Sequence, residues 1–142
     1  MFGDKKVVFA GGVFDLFHIG HLHLLQRAKT LGDILIVGVS SDVLAFSYKH
    51  SLPIISEGDR VEIVRNISCV DMVVIQNELA SVMLIQKLFV DVFVSGDDWK
   101  NKVDVPEGYK WIRENLEMVF LPRTEGIDSS SIKEELNRRG KL

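Results

Sequence analysis

The sequence has one cysteine, Cys69, so no internal disulfide can form. Set between Ile67 and Val70, it reads as a small buried hydrophobe and not as a nucleophile. No apolar run approaches the roughly 18 residues that span a bilayer. Met1-Phe2-Gly3-Asp4 shows no signal-peptide pattern. The expectation is a cytoplasmic protein with no membrane insertion. Charge of one sign is also scarce. A net −3 over 142 residues argues against a partner nucleic acid held by an overall field. Two phosphate-binding signatures are missing: there is no G-x-G-x-x-G, and no G-K-[S/T] follows a glycine-rich loop.

What remains is 46% hydrophobic and 26% charged, the balance of an ordinary globular chain. The length suits one domain over residues 1–142. Strand-length apolar runs alternate with helical patterns. KVVFA (6–10), DILIVGVS (33–40), 72–75, 90–95 and 118–121 read as strands. Residues 20–31 read as a helix with Leu22, Leu25, Ala28 and Leu31 on one face. Further helices are expected from a Ser56 capping box to about residue 68, over 79–88, over 109–115, and from a Ser131 capping box to just before Gly140. This alternation predicts an α/β fold: a single Rossmann-like domain, with a parallel sheet of about five strands and helices on both faces. Residues 46–57 and 100–108 read as loops. In such folds ligands sit where loops leave the carboxyl ends of strands.

The segment between the first strand and the first helix is the most informative: Gly11-Gly12-Val13-Phe14-Asp15-Leu16-Phe17-His18-Ile19-Gly20-His21. A helix N-terminus offers unpaired N–H groups and partial positive charge, so anions settle there. Two glycines let the backbone turn, and Gly20 is expected to let a phosphate approach. His18 and His21, three apart, share a helical face. Two imidazoles can donate N–H groups to oxygens that carry charge developing at phosphorus. Asp15 either holds the loop or caps the helix entry. His23 and His50 read as structural.

GGVFDLFHIGH resembles the G-x-F-D-x-x-H-x-G-H signature of the cytidylyltransferase family, within the HIGH-type nucleotidyltransferase superfamily. Arg123-Thr124-Glu125-Gly126-Ile127 resembles its R-T-E-G-I segment. Gly96-Asp97-Asp98-Trp99 resembles the G-D-D-W of bacterial glycerol-3-phosphate cytidylyltransferases. The three matches stand in family order. The resemblance implies transfer of a cytidylyl group from CTP to a small phosphorylated alcohol, foremost sn-glycerol 3-phosphate, with release of pyrophosphate. It also implies Mg²⁺ accompanying CTP and a homodimer. His18, His21, Lys49 and Arg123 would carry the reaction. Gly11, Gly12, Val13, Phe14, Asp15 and Gly20 would shape the nucleotide cradle, joined by Asp97, Arg123, Thr124, Ser129 and Ser130. Lys49, Arg60, Asp98 and Trp99 would face the acceptor. The metal ligands stay unassigned, although an Asp pair such as Asp97 and Asp98 can coordinate Mg²⁺.

Two departures stand out. Where the family has an arginine before Y-V-D, this chain has Ser68 before Cys69-Val70-Asp71, and Arg65, one turn earlier, is expected to replace the lost cation. Asp128 stands where the family has serine, and a carboxylate there repels a triphosphate unless it caps a helix or meets a metal. An insert around residues 105–109 borders the expected acceptor pocket. The alternatives are phosphoethanolamine, phosphocholine or a sugar phosphate as acceptor, ATP as donor, or a catalytically weak nucleotide-binding protein.

Overall fold

The computed structural model describes residues 2–96 and 107–140. The expected loop over 100–108 and the residues Asp97, Asp98 and Trp99 therefore lie outside the described residues, apart from 107 and 108. The elements run β1 (Val7–Gly12), α1 (Ile19–Lys29), β2 (Ile34–Ser40), α2 (Asp42–Lys49), α3 (Glu57–Arg65), β3 (Met72–Gln76), α4 (Val82–Lys87), β4 (Val92–Gly96), α5 (Gly108–Asn115), β5 (Glu117–Leu121) and α6 (Ser129–Gly140). All neighbouring strands pair in parallel, in the order β3-β2-β1-β4-β5. The five-stranded Rossmann-like sheet is the one the sequence pattern predicts.

Strand order reverses between β1 and β4, which opens a crevice at their carboxyl ends. The sheet is covered on both faces. On one, Leu25 and Ala28 of α1 and Val64 of α3 pack on Val8, Leu35, Val37 and Val94. On the other, Ile85 of α4 and Tyr109 and Ile112 of α5 pack on Phe9, Ile36 and Phe93. This double covering is why β2 reads ILIVGVS with no polar alternation. Cys69 is half-buried and packs against the α1/α3 core, as a small hydrophobe would. Among the described residues no helix is long and apolar enough to cross a membrane.

The stretch read as a loop from residue 46 is helical to Lys49. Ser41 caps α2, its Oγ accepting the Leu44 N–H at 3.1 Å. The outward-facing Val43 and Phe46 break the amphipathic pattern that signals a helix. Lys49 thus ends a helix, just before His50 takes the left-handed conformation of its C-cap. At α6 the cap is Asp128, not Ser131: Asp128 Oδ1 accepts the Ser131 N–H at 2.7 Å.

Candidate active site

A cleft of about 590 Å³ lies at the carboxyl ends of the strands. Its walls include Gly11, Gly12, Val13, His18, Gly20, His21, Lys49, Arg123, Thr124, Ser129 and Ser130. These are most of the residues singled out in the sequence, drawn from β1 and the loop after it, α1, α2, the segment after β5 and the start of α6.

The two histidines build the end of α1. His18 is its N-cap. The Gly20 N–H donates to His18 Nδ1 at 3.0 Å, and the His18 N–H donates to His21 Nδ1 at 3.1 Å. This is the reciprocal logic of a capping box with imidazoles in place of Ser and Glu. The rings stack with centroids 3.9 Å apart. Because each Nδ1 accepts a hydrogen bond, each neutral ring carries its proton on Nε2. Burial, the neighbouring His18 ring and Lys49 push His21 down to about 4, against an opposing pull from Asp15. Burial likewise lowers His18, against Asp128. Both rings are therefore neutral Nε2–H donors at neutral pH, set on a helix N-terminus.

Gly20 has a steric reason of its own. A Cβ there would lie 2.8 Å from His18 Cε1 and 3.0 Å from its Nδ1. Gly20 makes room for the His18 ring folded onto the helix end. Gly20→Ala should displace that ring and lower kcat on the order of a hundredfold, as misplacing a catalytic group by about 1 Å does. Helix propensity favours Ala by up to about 1 kcal/mol, so melting should show little loss of stability. Near-normal kcat in a folded variant would contradict this reading.

Asp15 holds the loop and does not cap the helix. Its Oδ2 accepts from the Ile54 N–H and its Oδ1 from the Ile55 N–H, both at 2.9 Å, and Lys133 Nζ lies 3.1 Å from Oδ2. Burial alone would raise the Asp15 carboxyl. The two N–H bonds and the Lys133 ammonium outweigh it and hold the group below its ordinary value. Ser129 Oγ donates to the Asp15 carbonyl oxygen at 2.6 Å, so that hydroxyl fastens α6 to the same loop. Phe14 and Leu16 on this loop take positive φ, 57° and 50°, strain that such a clasp can hold. Phe14 itself is buried in the core.

Asp128 faces His18 and Arg123. Its bond from the Ser131 N–H, with further help from the Ser131 side chain, holds it ionised below the usual carboxylate range. His23, expected to be structural, joins two elements. Its Nδ1 lies 3.3 Å from Thr124 Oγ1, which ties α1 to the segment carrying Arg123. Gln76, Ser95 and Tyr109 also line the cleft and were not foreseen. A glutamine ending the apolar run MVVI was the one available signal, since a strand's carboxyl end faces the crevice.

Two expectations are corrected. Arg60 is fully buried, beneath the site and not on its wall. Its Nη1 donates to the carbonyls of Val13 (2.7 Å) and Ser40 (2.8 Å), its Nε to that of Ile55 (2.9 Å), and its Nη2 to Asp42 Oδ1 (2.7 Å). Four of its five N–H donors are taken by these bonds and the side chain is enclosed, so it does not reach the cleft wall. Arg65 ends α3 with an exposed side chain, 3.8 Å from Glu62. Crossover helices run antiparallel to the strands, so the C-terminal end of α3 sits at the amino edge of the sheet, opposite the cleft. Arg65 therefore does not line the cleft.

The His21 shift also sets a pH dependence. Between about 4 and the unfolded value of 6.5, the unfolded chain binds more protons than the folded one. The stability this ring contributes is therefore full above about pH 6.5 and is lost as pH falls through that window. His21→Asn, whose side-chain oxygen can still accept from the His18 N–H, should lose fewer degrees of Tm between pH 7 and pH 5 than the parent, by roughly a few °C. Equal losses would show that His21 is not held neutral.

The family model described as "Cytidylyltransferase-like" matches residues 9–135. The glycerol-3-phosphate cytidylyltransferase of Bacillus spizizenii is 42% identical over 139 residues, covering 92% of this chain and 97% of that protein. The bifunctional protein HldE of Helicobacter pylori (strain G27) is 43% identical over 136 residues, 95% of this chain. This chain spans only 28% of the length of that protein. Among solved structures, the lipopolysaccharide core biosynthesis protein of Thermoplasma volcanium superposes with a TM-score of 0.73 at 27% identity, over 85% of this chain and 99% of that one.

Proposed function

Given that the chain belongs to the cytidylyltransferase-like family and is a nucleotidyltransferase, we propose that it transfers a cytidylyl group from CTP to sn-glycerol 3-phosphate, giving CDP-glycerol and pyrophosphate. The single observation that carries this reading is the pair of neutral imidazoles stacked at the N-terminus of α1, each with its proton on Nε2. The full-length likeness to a glycerol-3-phosphate cytidylyltransferase supports the choice of substrates.

In this reading an oxygen of the acceptor phosphate attacks the α-phosphorus of CTP in line. The bond from that phosphorus to the bridging oxygen breaks, and pyrophosphate leaves. The Nε2–H groups of His18 and His21 and the backbone N–H groups of α1 meet the charge that grows on the phosphoryl oxygens. Arg123 meets the phosphates from the opposite wall, and Lys49 neutralises the incoming acceptor phosphate. A divalent cation would be held chiefly by the triphosphate, spreading its charge. Among the described residues no three His, Cys, Asp or Glu side chains gather into a metal cage. That suits Mg²⁺, which keeps its waters and takes one or two carboxylates plus substrate phosphates. Asp128, at the cleft and ionised, is the described carboxylate placed to contribute.

A sugar phosphate acceptor is the second reading, favoured by the likeness to a lipopolysaccharide core biosynthesis protein, since such a core is built of sugars. Pyrophosphate release should be followed with CTP and with ATP against sn-glycerol 3-phosphate, phosphoethanolamine, phosphocholine and sugar phosphates. CTP with glycerol 3-phosphate should give the highest kcat/KM. A better rate with a sugar phosphate selects the second reading, and a better rate with ATP moves the donor. No turnover with any pair would return the chain to the reading of a catalytically weak nucleotide-binding protein.

A further inference from the structure

The cleft has two halves. The α1 end and the segment after β5 form one, on the α1/α3 face of the sheet. The other lies on the α4/α5 face, where Gln76, Ser95 and Tyr109 stand. Here the strand ends form a trench. Gly38 of β2 pairs with Gly11 of β1; the Phe9 ring fills the space over Gly38, where a Cβ would meet its Cζ at 2.5 Å, and of the two only Gly11 lines the cleft. The Gln76 side chain reaches into this trench from β3. A Cβ on Gly11 would meet its Nε2 at 3.0 Å and its Oε1 at 3.1 Å, and a Cβ on Gly38 would meet Oε1 at 3.0 Å. Beyond Gly11, Ser95 Oγ and Tyr109 OH pair at 3.1 Å.

Gln76 is 5% exposed and Nε2 donates to Ser40 Oγ at 3.1 Å. No described residue bonds to Oε1, and no fully enclosed side-chain polar atom of the described residues lacks a partner. Oε1 is therefore open to the cleft. Whichever way the amide is turned, one of its polar atoms is left facing that space. A buried amide held in place with one unmet hydrogen-bonding atom is costly unless a ligand or water meets it. Lys49, on the cleft wall and close enough to His21 to lower it, attracts the acceptor's phosphate and repels an ammonium group. The rings of Phe93 and Tyr109 pack edge to face, centroids 5.5 Å apart, and are buried, so they form no open cage for a quaternary amine.

We propose that the Gln76 amide, with the Ser95–Tyr109 hydroxyl pair beside it, reads free hydroxyl groups on the acceptor. The second substrate is then a phosphorylated polyol or sugar, and choline and ethanolamine phosphates are rejected. This inference rests on the nucleotidyl-transfer reading above and fixes its acceptor class. Sites that bond a substrate hydroxyl discriminate strongly against analogues lacking it.

The test compares kcat/KM for sn-glycerol 3-phosphate, a sugar phosphate, phosphocholine and n-propyl phosphate in the parent, in Gln76→Leu and in Tyr109→Phe. The parent should favour a hydroxyl-bearing acceptor over both others. Each variant should cut the preference over propyl phosphate by roughly tenfold. That loss should fall on the hydroxylated acceptor, with KM for CTP unchanged. Tyr109→Phe removes one oxygen atom and carries the test should Gln76→Leu fold poorly. Phosphocholine as the best acceptor, or an intact preference in both variants, would overturn this inference and leave the transfer reading standing. Failure of every acceptor with the parent protein would sink both.

Discussion

Alanine at His18 or His21 is expected to lower kcat by two to three orders of magnitude, since loss of one transition-state donor costs roughly 3–4 kcal/mol. The double variant should fall little further, because the two rings act as one unit. Both side chains also cap α1, so a loss of activity could merely reflect a frayed helix. His18→Asn separates the two roles. Asparagine is a good N-cap and can keep an acceptor for the Gly20 N–H, but it places no N–H where Nε2 stood. It should hold Tm near the parent value and still lose activity by at least about a hundredfold. If His18→Asn turned over normally, the rings would be structural caps and the proposed chemistry would have no donor.

The largest expected loss of stability is at Arg60. Arg60→Leu should destabilise the fold by about 3–5 kcal/mol, since each buried carbonyl left without its donor costs about 1–3 kcal/mol. It leaves the carbonyls of Val13, Ser40 and Ile55 without that donor, while Asp42, a third exposed, keeps contact with water. Urea unfolding reads this directly. Arg60→Lys keeps the charge but not the planar fork, so it should recover only part. Should Arg60→Leu unfold at the parent urea concentration and show a raised acceptor KM instead, Arg60 would be a substrate contact after all. Its bonds explain why a buried cation is tolerated here. One guanidinium ties together the loop after β1, the end of β2, the start of α2 and the entry to α3. It thereby sets the floor on which the cleft is built.

Much of this was legible in the residue order. Apolar runs such as DILIVGVS can only be interior strands of a sheet covered on both sides, so sequence pattern was enough for the α/β class. The loop GGVFDLFHIGH had to fall at a strand's carboxyl end, because it joins the first strand to the first helix. Local patterns gave Ser56 as a cap, and its Oγ does accept the Asp59 N–H at 3.5 Å. They missed α2, whose exposed face carries Val43 and Phe46.

What the chain order determined by itself was the set of elements, their alternation, and the presence of paired imidazoles beside a helix start. These are local properties, set by periodicity and by residues a few positions apart. Only the tertiary structure decided which charges meet the cleft. Arg60 and Arg65 both read as available cations, yet one is enclosed by carbonyls from segments up to 47 residues away and the other is carried to the far edge of the sheet. The use of Gln76, Ser95 and Tyr109 was equally hidden, because strands distant in sequence bring them together across Gly11 and Gly38. Burial and long-range pairing are properties of the packed chain, and no spacing along the sequence encodes them.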